Sequence, residues 1–191
     1  FFMIKQRELH EVPTLFQLLN HPDVYPYVRN KAQTIDEYYF LTKQIIEAET
    51  RDEYISRTII DEYYQPIGTI DLYDIKDRAG FLATWIGRPY FGKGYNQAAK
   101  QQFFTDLFLN KEIETIFLKI RKINIRSLKA AAKLPYVSCG KTFFPHVYDA
   151  INDGREMYDL FAINKYDFLA QREFLNIENQ QPSIVIDGGV S

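Results

Sequence analysis

Short apolar runs and helical stripes alternate along this chain, and together they predict a domain of mixed strands and helices. Runs rich in β-branched and aromatic residues predict strands, whereas apolar residues spaced three or four apart predict helices. The predicted strands cover residues 4–7, 55–61, 67–73, 81–86, 115–120, 142–147 and 157–163. The predicted helices cover residues 13–19, 35–46, 98–109 and 124–134.

The most informative stretch joins the strand at residues 81–86 to the helix at residues 98–109 through the sequence Tyr90-Phe91-Gly92-Lys93-Gly94-Tyr95-Asn96. A helix that begins just after Gly94 leaves its first backbone N–H groups without intrahelical partners and carries the positive end of the helix dipole. Glycine lacks a Cβ, so the backbone can adopt a positive φ and a phosphate oxygen can approach several N–H groups. We therefore predict a phosphate cradle, although Gly-x-Gly alone is also common in ordinary turns.

The helix that follows this loop has one apolar stripe. The stripe contains Phe103, Phe104, Leu107 and Phe108, and we expect Lys100, Gln101 and Asp106 on the other faces.

Two common phosphate-binding motifs do not fit the loop. The dinucleotide fingerprint requires a third glycine, where this chain has Gln97, and an acidic residue about 20 positions later. A Walker loop ends in Gly-Lys-Ser/Thr, which this loop lacks.

Trp85-Ile86 followed by residues 90–95 resembles the coenzyme A pyrophosphate loop of the GNAT superfamily of acyl-CoA-dependent N-acyltransferases. The resemblance is strongest to the Rim-type ribosomal-protein N-terminal acetyltransferases. A second motif, Asn124-Ile125-Arg126-Ser127, opens a segment that runs to Lys133-Leu134 and is similar to the family's Asn-x-x-Ser helix. The resemblance covers roughly residues 3–168.

This resemblance implies the α+β (α/β) GNAT fold. Such a fold has a central, mostly antiparallel mixed sheet of six to seven strands, splayed in the middle and flanked by about four helices. We expect a single acyltransferase domain over residues 1–168 and a C-terminal extension over residues 169–191, with a polar linker at 176–181 and a short strand and turn at 183–189.

The family binds acyl-CoA in the gap between two splayed central strands, and the resemblance carries this role to particular residues. The coenzyme-binding positions would be Ile86, Phe91, Gly92, Lys93, Gly94, Tyr95, Asn96 and Asn124. Asn124 would bond near the pantetheine or the thioester, and Ser127 would stabilise or protonate the departing thiolate. Both have a structural alternative, because an Asn at a helix start is often only its N-cap and a Ser one turn later is often a satisfied hydroxyl.

The implied reaction is transfer of an acetyl group from acetyl-CoA to a primary amine by direct attack in a ternary complex. The acceptor would be a small molecule or a protein N-terminus, and the enzyme a monomer or homodimer. The alternative is a CoA-binding regulatory or interaction protein without turnover.

Several positions depart from the family pattern in ways that bear on the chemistry. Pro89 stands where members often have Arg or Gln, Phe81 where many have a general-base Glu, and Ala131 where some have a general-acid Tyr. Pro135-Tyr136 also replaces the usual Gly-Phe after the helix. Weak candidates for a carboxylate that acts through water are Asp71, Asp74 and Glu156, which lie at or near predicted strand ends.

In the family the two early helices wall the acceptor site. Residues that could contact the amine there are Tyr25, Tyr27, Arg29, Tyr38 and Tyr39, although core or surface packing is the simpler interpretation of each one.

Composition narrows the remaining possibilities. The chain has 191 residues, 46% of them apolar and 25% charged, as expected for one globular domain. A formal net charge of −2 argues against a nucleic-acid partner, because phosphate binding normally requires a basic patch. The opening Phe1-Phe2-Met3-Ile4 fits neither a signal peptide nor a membrane span. We expect a cytoplasmic protein.

Cys139 is the only cysteine, so no intrachain disulfide can form. We expect a packed thiol there, rather than a nucleophile activated by His146. The three histidines show no metal-ligand spacing, and no metal is expected.

Overall fold

The computed structural model describes residues 3–180, with side chains from residue 3 to residue 173. Its centre is a seven-stranded sheet in the order β1-β2-β3-β4-β5-β7-β6. The strands are β1 (Ile4–Gln6), β2 (Ile55–Ile60), β3 (Pro66–Lys76), β4 (Ala79–Ile86), β5 (Thr115–Arg121), β6 (Val137–Cys139) and β7 (Tyr158–Asn164). All neighbours pair antiparallel except β4 and β5, which are parallel. The expected mostly antiparallel mixed sheet is confirmed.

Seven helices surround this sheet within residues 3–180. They are α1 (Val12–Leu19), α2 (Ile35–Thr50), α3 (Tyr95–Asn110), α4 (Ile125–Ala132), α5 (Gly140–Phe143), α6 (Pro145–Asn152) and α7 (Lys165–Gln180). The four predicted helices correspond to α1–α4. The start of α2 is fixed by Thr34, whose hydroxyl accepts the N–H of Glu37 at 3.2 Å. Such a cap contributes about 1 kcal/mol.

The two faces of the sheet carry separate apolar cores. On one face, Trp85 of β4 packs in a cluster with Leu15 and Leu19 of α1 and with Tyr38 of α2. The next residue, Ile86, belongs to the cluster on the opposite face, which is centred on α3. Because successive side chains of a strand point to opposite faces, β4 is covered by α1 and α2 on one side and by α3 on the other.

One predicted strand is wrong. Residues 142–147 form the end of α5 and the beginning of α6, and the strand that pairs with β7 is instead the three-residue β6. Pro145 occupies the first turn of α6, where its fixed φ suits a helix and its missing N–H costs nothing. The strand preference of the neighbouring residues is therefore overridden by Pro145 and by the packing of α5 and α6 against β7.

Within the predicted polar linker at residues 176–181, residues 176–180 are helical. Residue 181 and the strand and turn predicted at residues 183–189 lie outside the described residues. The proposed domain boundary at residue 168 falls inside α7. Phe168 is fully buried there, with its ring 5.1 Å from Tyr136 and 5.4 Å from Phe108.

Cys139 is exposed, so the expectation of a packed thiol is wrong. It ends the short strand β6 and directly precedes α5. Hydrogen bonds from the hydroxyl and the backbone N–H of Thr142 lower the pKa of this thiol. Among residues 3–180, no helix is long and apolar enough to cross a bilayer.

Candidate active site

A gap opens in the middle of the sheet between β4 and β5. The two strands pair over only three residues each, Ala79–Phe81 with Thr115–Phe117, although β4 continues to Ile86 and β5 to Arg121. The expected splay is therefore present. Because the strands are parallel, their carboxyl ends lie on the same side, where helices α3 and α4 begin. Two helix N-termini thus stand at the open end of one gap, and each favours an anion.

The loop before α3 has the backbone conformation that the glycine pattern predicts. Gly92 has φ +74° and Gly94 has φ +83°, both in the left-handed region. Gly94 directly precedes the first residue of α3. A Cβ built at either glycine would meet no atom within 4 Å. Glycine is favoured at both positions because of the positive φ, and the space where a side chain would lie is open.

The backbone donors of this loop point to no acceptor within the described part of the chain. The first helical hydrogen bond of α3 is donated by Ala98 to the carbonyl of Gly94, at 3.1 Å. No protein acceptor is bonded to the N–H groups of residues 92–97 there. Consecutive free donors at a helix start are suited to a phosphate.

Side chains of the loop mainly anchor it. Asn96 accepts a hydrogen bond from the Thr84 hydroxyl of β4 at 2.9 Å, and the Tyr95 hydroxyl donates to Glu62. That bond to Glu62 raises the pKa of Tyr95 to about 12. Ile86, another predicted coenzyme position, is buried in the core beneath α3. Phe91 and Lys93 are exposed. The side chains of Tyr95 and Asn96 are thus already engaged, which leaves the backbone N–H groups for a ligand.

The sequence pattern predicted Lys100 on an outer face of α3, and this prediction is wrong. It follows Asn96 by four residues and precedes Phe103 and Phe104 by three and four, so it shares the stripe that faces the sheet. Its side chain is half-buried, and burial lowers its pKa. No carboxylate forms an ion pair with it in residues 3–173. Within residues 3–173, Lys100 is therefore a cation without a carboxylate partner. Its four-residue spacing from Asn96 is the sequence feature that indicates this position.

The second predicted motif lies at the start of α4. Asn124 is the N-cap, and its side-chain oxygen accepts the backbone N–H of Ser127 at 3.3 Å. Its capping role is thus established. Both residues are partly buried, and α4 follows the carboxyl end of β5 at the open end of the gap.

The positions that depart from the family pattern have structural roles. Phe81 stacks on Tyr73, with ring centroids 5.6 Å apart, and lies 5.3 Å from the ring of Phe117. Ala131 is the buried residue of α4. Pro89 lies in a short 3₁₀ turn before the loop. Neither an acid nor a base occupies these places.

The acceptor candidates separate into two groups. Tyr38 and Arg29 line a small cavity on the α1/α2 face, together with Arg7, Asp71, Ala83 and Trp85. The other three candidates, Tyr25, Tyr27 and Tyr39, are not among the residues that line it. Arg29 also lies over the Tyr73 ring, 3.7 Å from its centroid.

Of the three candidate carboxylates, only Asp71 is buried. Its two oxygens accept hydrogen bonds from the Ser56 hydroxyl at 2.5 Å and from the Tyr54 hydroxyl at 2.6 Å. Burial raises the pKa of Asp71, against the opposing effects of the Arg7 charge and of these two hydroxyls. Asp74 and Glu156 are exposed.

Among the described residues, no group of three or more His, Cys, Asp or Glu side chains could hold a metal ion.

Comparison with known proteins gives a family and a fold. Residues 3–136 match the family model described as the acetyltransferase (GNAT) domain. No curated protein sequence matches the chain.

Three similar solved structures illustrate the range of relatives. The chain is similar to apo FdhC, a nucleotide-linked sugar GNAT, with TM-score 0.71, 15% identity and coverage of 91% of this chain and 92% of that one. It is also similar to RimL, the ribosomal L7/L12 alpha-N-protein acetyltransferase, in complex with coenzyme A, with TM-score 0.65, 16% identity and coverage of 84% and 92%. A mutant of the spermidine N-acetyltransferase SpeG from Vibrio cholerae gives TM-score 0.65, 14% identity and coverage of 90% and 99%.

At these identities the solved structures establish the fold, while the family model covers well over half of the sequence. The chain belongs to the GNAT acetyltransferase family.

Proposed function

We propose that this protein transfers the acetyl group of acetyl-CoA to a primary amine by direct attack in a ternary complex. Membership of the GNAT family supports acetyl transfer in general. The observation that carries the proposal is the splay between β4 and β5, with the N–H groups of residues 92–97, which have no acceptor in residues 3–180, at its open end.

The diphosphate of the coenzyme would bind to the backbone N–H groups of residues 92–97, because the N–H of Phe91 already donates to the carbonyl of Arg88. Each charge-assisted hydrogen bond contributes roughly 1.5–3 kcal/mol, against roughly 0.3–1 kcal/mol for the helix dipole at an exposed end. The aimed N–H groups therefore dominate binding. Lys100 adds a positive charge on the inner face of the same helix, and an anionic ligand would compensate it.

The pantetheine would run along the edge of β4 that β5 leaves unpaired, beside Ile86. In an antiparallel strand, half of the backbone groups point away from the one paired neighbour. Those of β4 beyond Phe81 are available to the amide groups of the pantetheine arm. With the pantetheine along this edge, the thioester would lie deeper in the gap, towards the point where β4 and β5 meet.

At the thioester, the structure offers few acids or bases. We assign Ser127 to the departing thiolate and Asn124 to the pantetheine or thioester, with Asn124 also capping α4. A thiolate is a good leaving group, so alignment of amine and thioester can supply much of the rate enhancement, equivalent to about 7–11 kcal/mol in well-oriented reactions.

A second candidate function is binding of CoA without turnover. Phe81 and Ala131 favour it, because they occupy the places of the family's Glu and Tyr and neither can transfer a proton.

A thiol-release assay separates the two functions. The parent protein is incubated with acetyl-CoA and, in turn, spermidine, a peptide with a free N-terminal alanine, and an amino sugar. Release above the rate without enzyme, with mass-spectrometric detection of the N-acetyl product, supports the enzyme. CoA binding by calorimetry without product from any amine would favour the binding protein.

A further inference from the structure

A chain of hydrogen bonds crosses the α1/α2 face of the sheet and is centred on Asp71. Asn30 donates to the Tyr54 hydroxyl at 2.8 Å, and Tyr54 donates to Asp71. On the other side, Arg7 donates to the Ser56 hydroxyl at 3.1 Å, and Ser56 donates to Asp71. Both carboxylate oxygens are thereby oriented, while each keeps a lone pair for another donor.

Strand register places this carboxylate one strand away from the gap. Asp71 of β3 lies directly opposite Ser56 of β2 and Ala83 of β4. Directly opposed residues share one face of the sheet, so the three form a row beneath α1 and α2. Ala83 is only two residues beyond Phe81, the last residue of β4 that pairs with β5. With strands about 4.8 Å apart, Asp71 lies about one strand spacing from the strand that borders the gap.

The molecule has room for that water. The cavity that Asp71, Ala83 and Trp85 line has a volume of about 20 Å³, and roughly 10–15 Å³ is enough for one water molecule. Arg7 also lines it and is 8% exposed. Its Nε is the one buried side-chain donor without a hydrogen-bond partner in the described part of the chain. A buried water needs two to four polar partners, and the Arg7 Nε and an Asp71 oxygen supply two.

We propose that Asp71 is the proton acceptor of the reaction, acting through a water molecule held in the cavity that Asp71, Arg7 and Ala83 line. This inference rests on the proposed acetyl transfer.

In the step, the amine nitrogen attacks the thioester carbon and forms the new C–N bond. The nitrogen then loses a proton through the water to Asp71, and the C–S bond breaks with its electron pair leaving on sulfur. Ser127 donates a proton to the thiolate and regains one from solvent, while Asp71 releases its proton to solvent. Arg7 and Tyr54 are positioning residues in this scheme, because Tyr54 orients the Asp71 carboxylate by a hydrogen bond and Arg7 orients Ser56 and the water.

The charges around Asp71 set the pH at which it can work. The groups that face it are Arg7 beyond β1, Arg29 before α2, Tyr38 on α2 and Tyr54 before β2. Ala83 and Trp85 on β4 carry no charge. Burial raises the pKa of Asp71. A general base is most effective when its pKa lies near the pH of the reaction, so this shift favours catalysis closer to neutral pH. Removing the Tyr54 hydroxyl should raise this pKa further, since that hydrogen bond favours the ionised form.

The test is the pH profile of kcat/KM for thiol release at saturating acetyl-CoA, with the best amine of the panel above. The variants are Asp71→Asn, Tyr54→Phe and the surface control Asp149→Asn, which removes the same charge from an exposed position on α6. Ionisation of the amine affects all four proteins equally, so differences between profiles report on the enzyme.

We expect Asp71→Asn to lower kcat by about 10²- to 10⁴-fold and to leave only the part of the acidic limb that ionisation of the amine produces. Its acetyl-CoA affinity by calorimetry should equal that of the parent. Tyr54→Phe should move the acidic limb to higher pH, and Asp149→Asn should retain the parent profile. An Asp71→Asn protein with the parent rate and acidic limb would overturn the assignment of Asp71. So would a Tyr54→Phe profile with an unmoved limb. A parent that acetylates no amine in the panel would instead refute the proposed function.

Discussion

The phosphate cradle can be tested by giving Gly94 a side chain. Alanine at this position has two separable effects. The alanine must adopt φ +83°, and this left-handed conformation destabilises a residue with a Cβ by about 1–2 kcal/mol. Its Cβ also enters the open space beside the loop, where no protein atom lies within 4 Å. The first effect lowers stability, and only the second concerns the ligand.

Gly154 provides a matched control. It has φ +75°, a Cβ there would also meet no atom within 4 Å, and it lies between α6 and β7, outside the loop. Gly94→Ala and Gly154→Ala should therefore show similar losses of stability. For a chain of this size, 1–2 kcal/mol lowers Tm by roughly 2–8 °C.

Only Gly94→Ala should weaken coenzyme binding. If its methyl group displaces the diphosphate from one N–H, the loss of roughly 1.5–3 kcal/mol corresponds to about a 10- to 100-fold rise in Kd. The assay is calorimetric titration with CoA well below Tm, with Tm measured on the same samples. Equal CoA affinities for the two folded variants would refute the cradle.

Three further predictions concern side chains. Lys100→Met should raise the Kd for CoA about tenfold, which is the loss of one charge-assisted contact, and should melt no lower than the parent because it removes a desolvated charge; parent affinity would count against a role in binding. Ser127→Ala should lower kcat more than it lowers the affinity for acetyl-CoA. Unchanged kinetics would show that Ser127 has only a structural role in the first turn of α4. Because burial raises the pKa of Asp71 above its ordinary 3.8, the folded state binds the proton more tightly than the unfolded state. Stability of the parent should therefore fall relative to Asp71→Asn as pH rises from below 3.8 through the raised pKa, and a pH-independent difference in Tm would contradict this.

Local patterns were sufficient for the loop and for most elements of the sheet. The glycine spacing predicted both the positive φ values and the start of α3, because these depend on a few neighbouring residues. The same reasoning failed at residues 142–147, where an apolar run of β-forming residues fits a short strand as well as a helix. There Pro145 and packing against β7 decide for helix.

The proton acceptor could not be chosen from the sequence, since Asp71 and Asp74 both occur near a predicted strand end. Only the register of β3 against β4 places Asp71 beside Ala83 and beneath α2. Lys100 was missed for a different reason. The apolar pattern predicts Lys100 on another face of α3, whereas its four-residue spacing from Asn96 puts it on the half-buried side that faces the sheet.

We infer that backbone N–H groups of residues 92–97 hold the diphosphate of a coenzyme whose pantetheine fills the gap between β4 and β5. A crystal structure with acetyl-CoA bound tests this binding mode most directly. We expect phosphate oxygens within about 3 Å of these nitrogens and the thioester beside Ala83. A coenzyme bound elsewhere, or with its diphosphate away from α3, would contradict it.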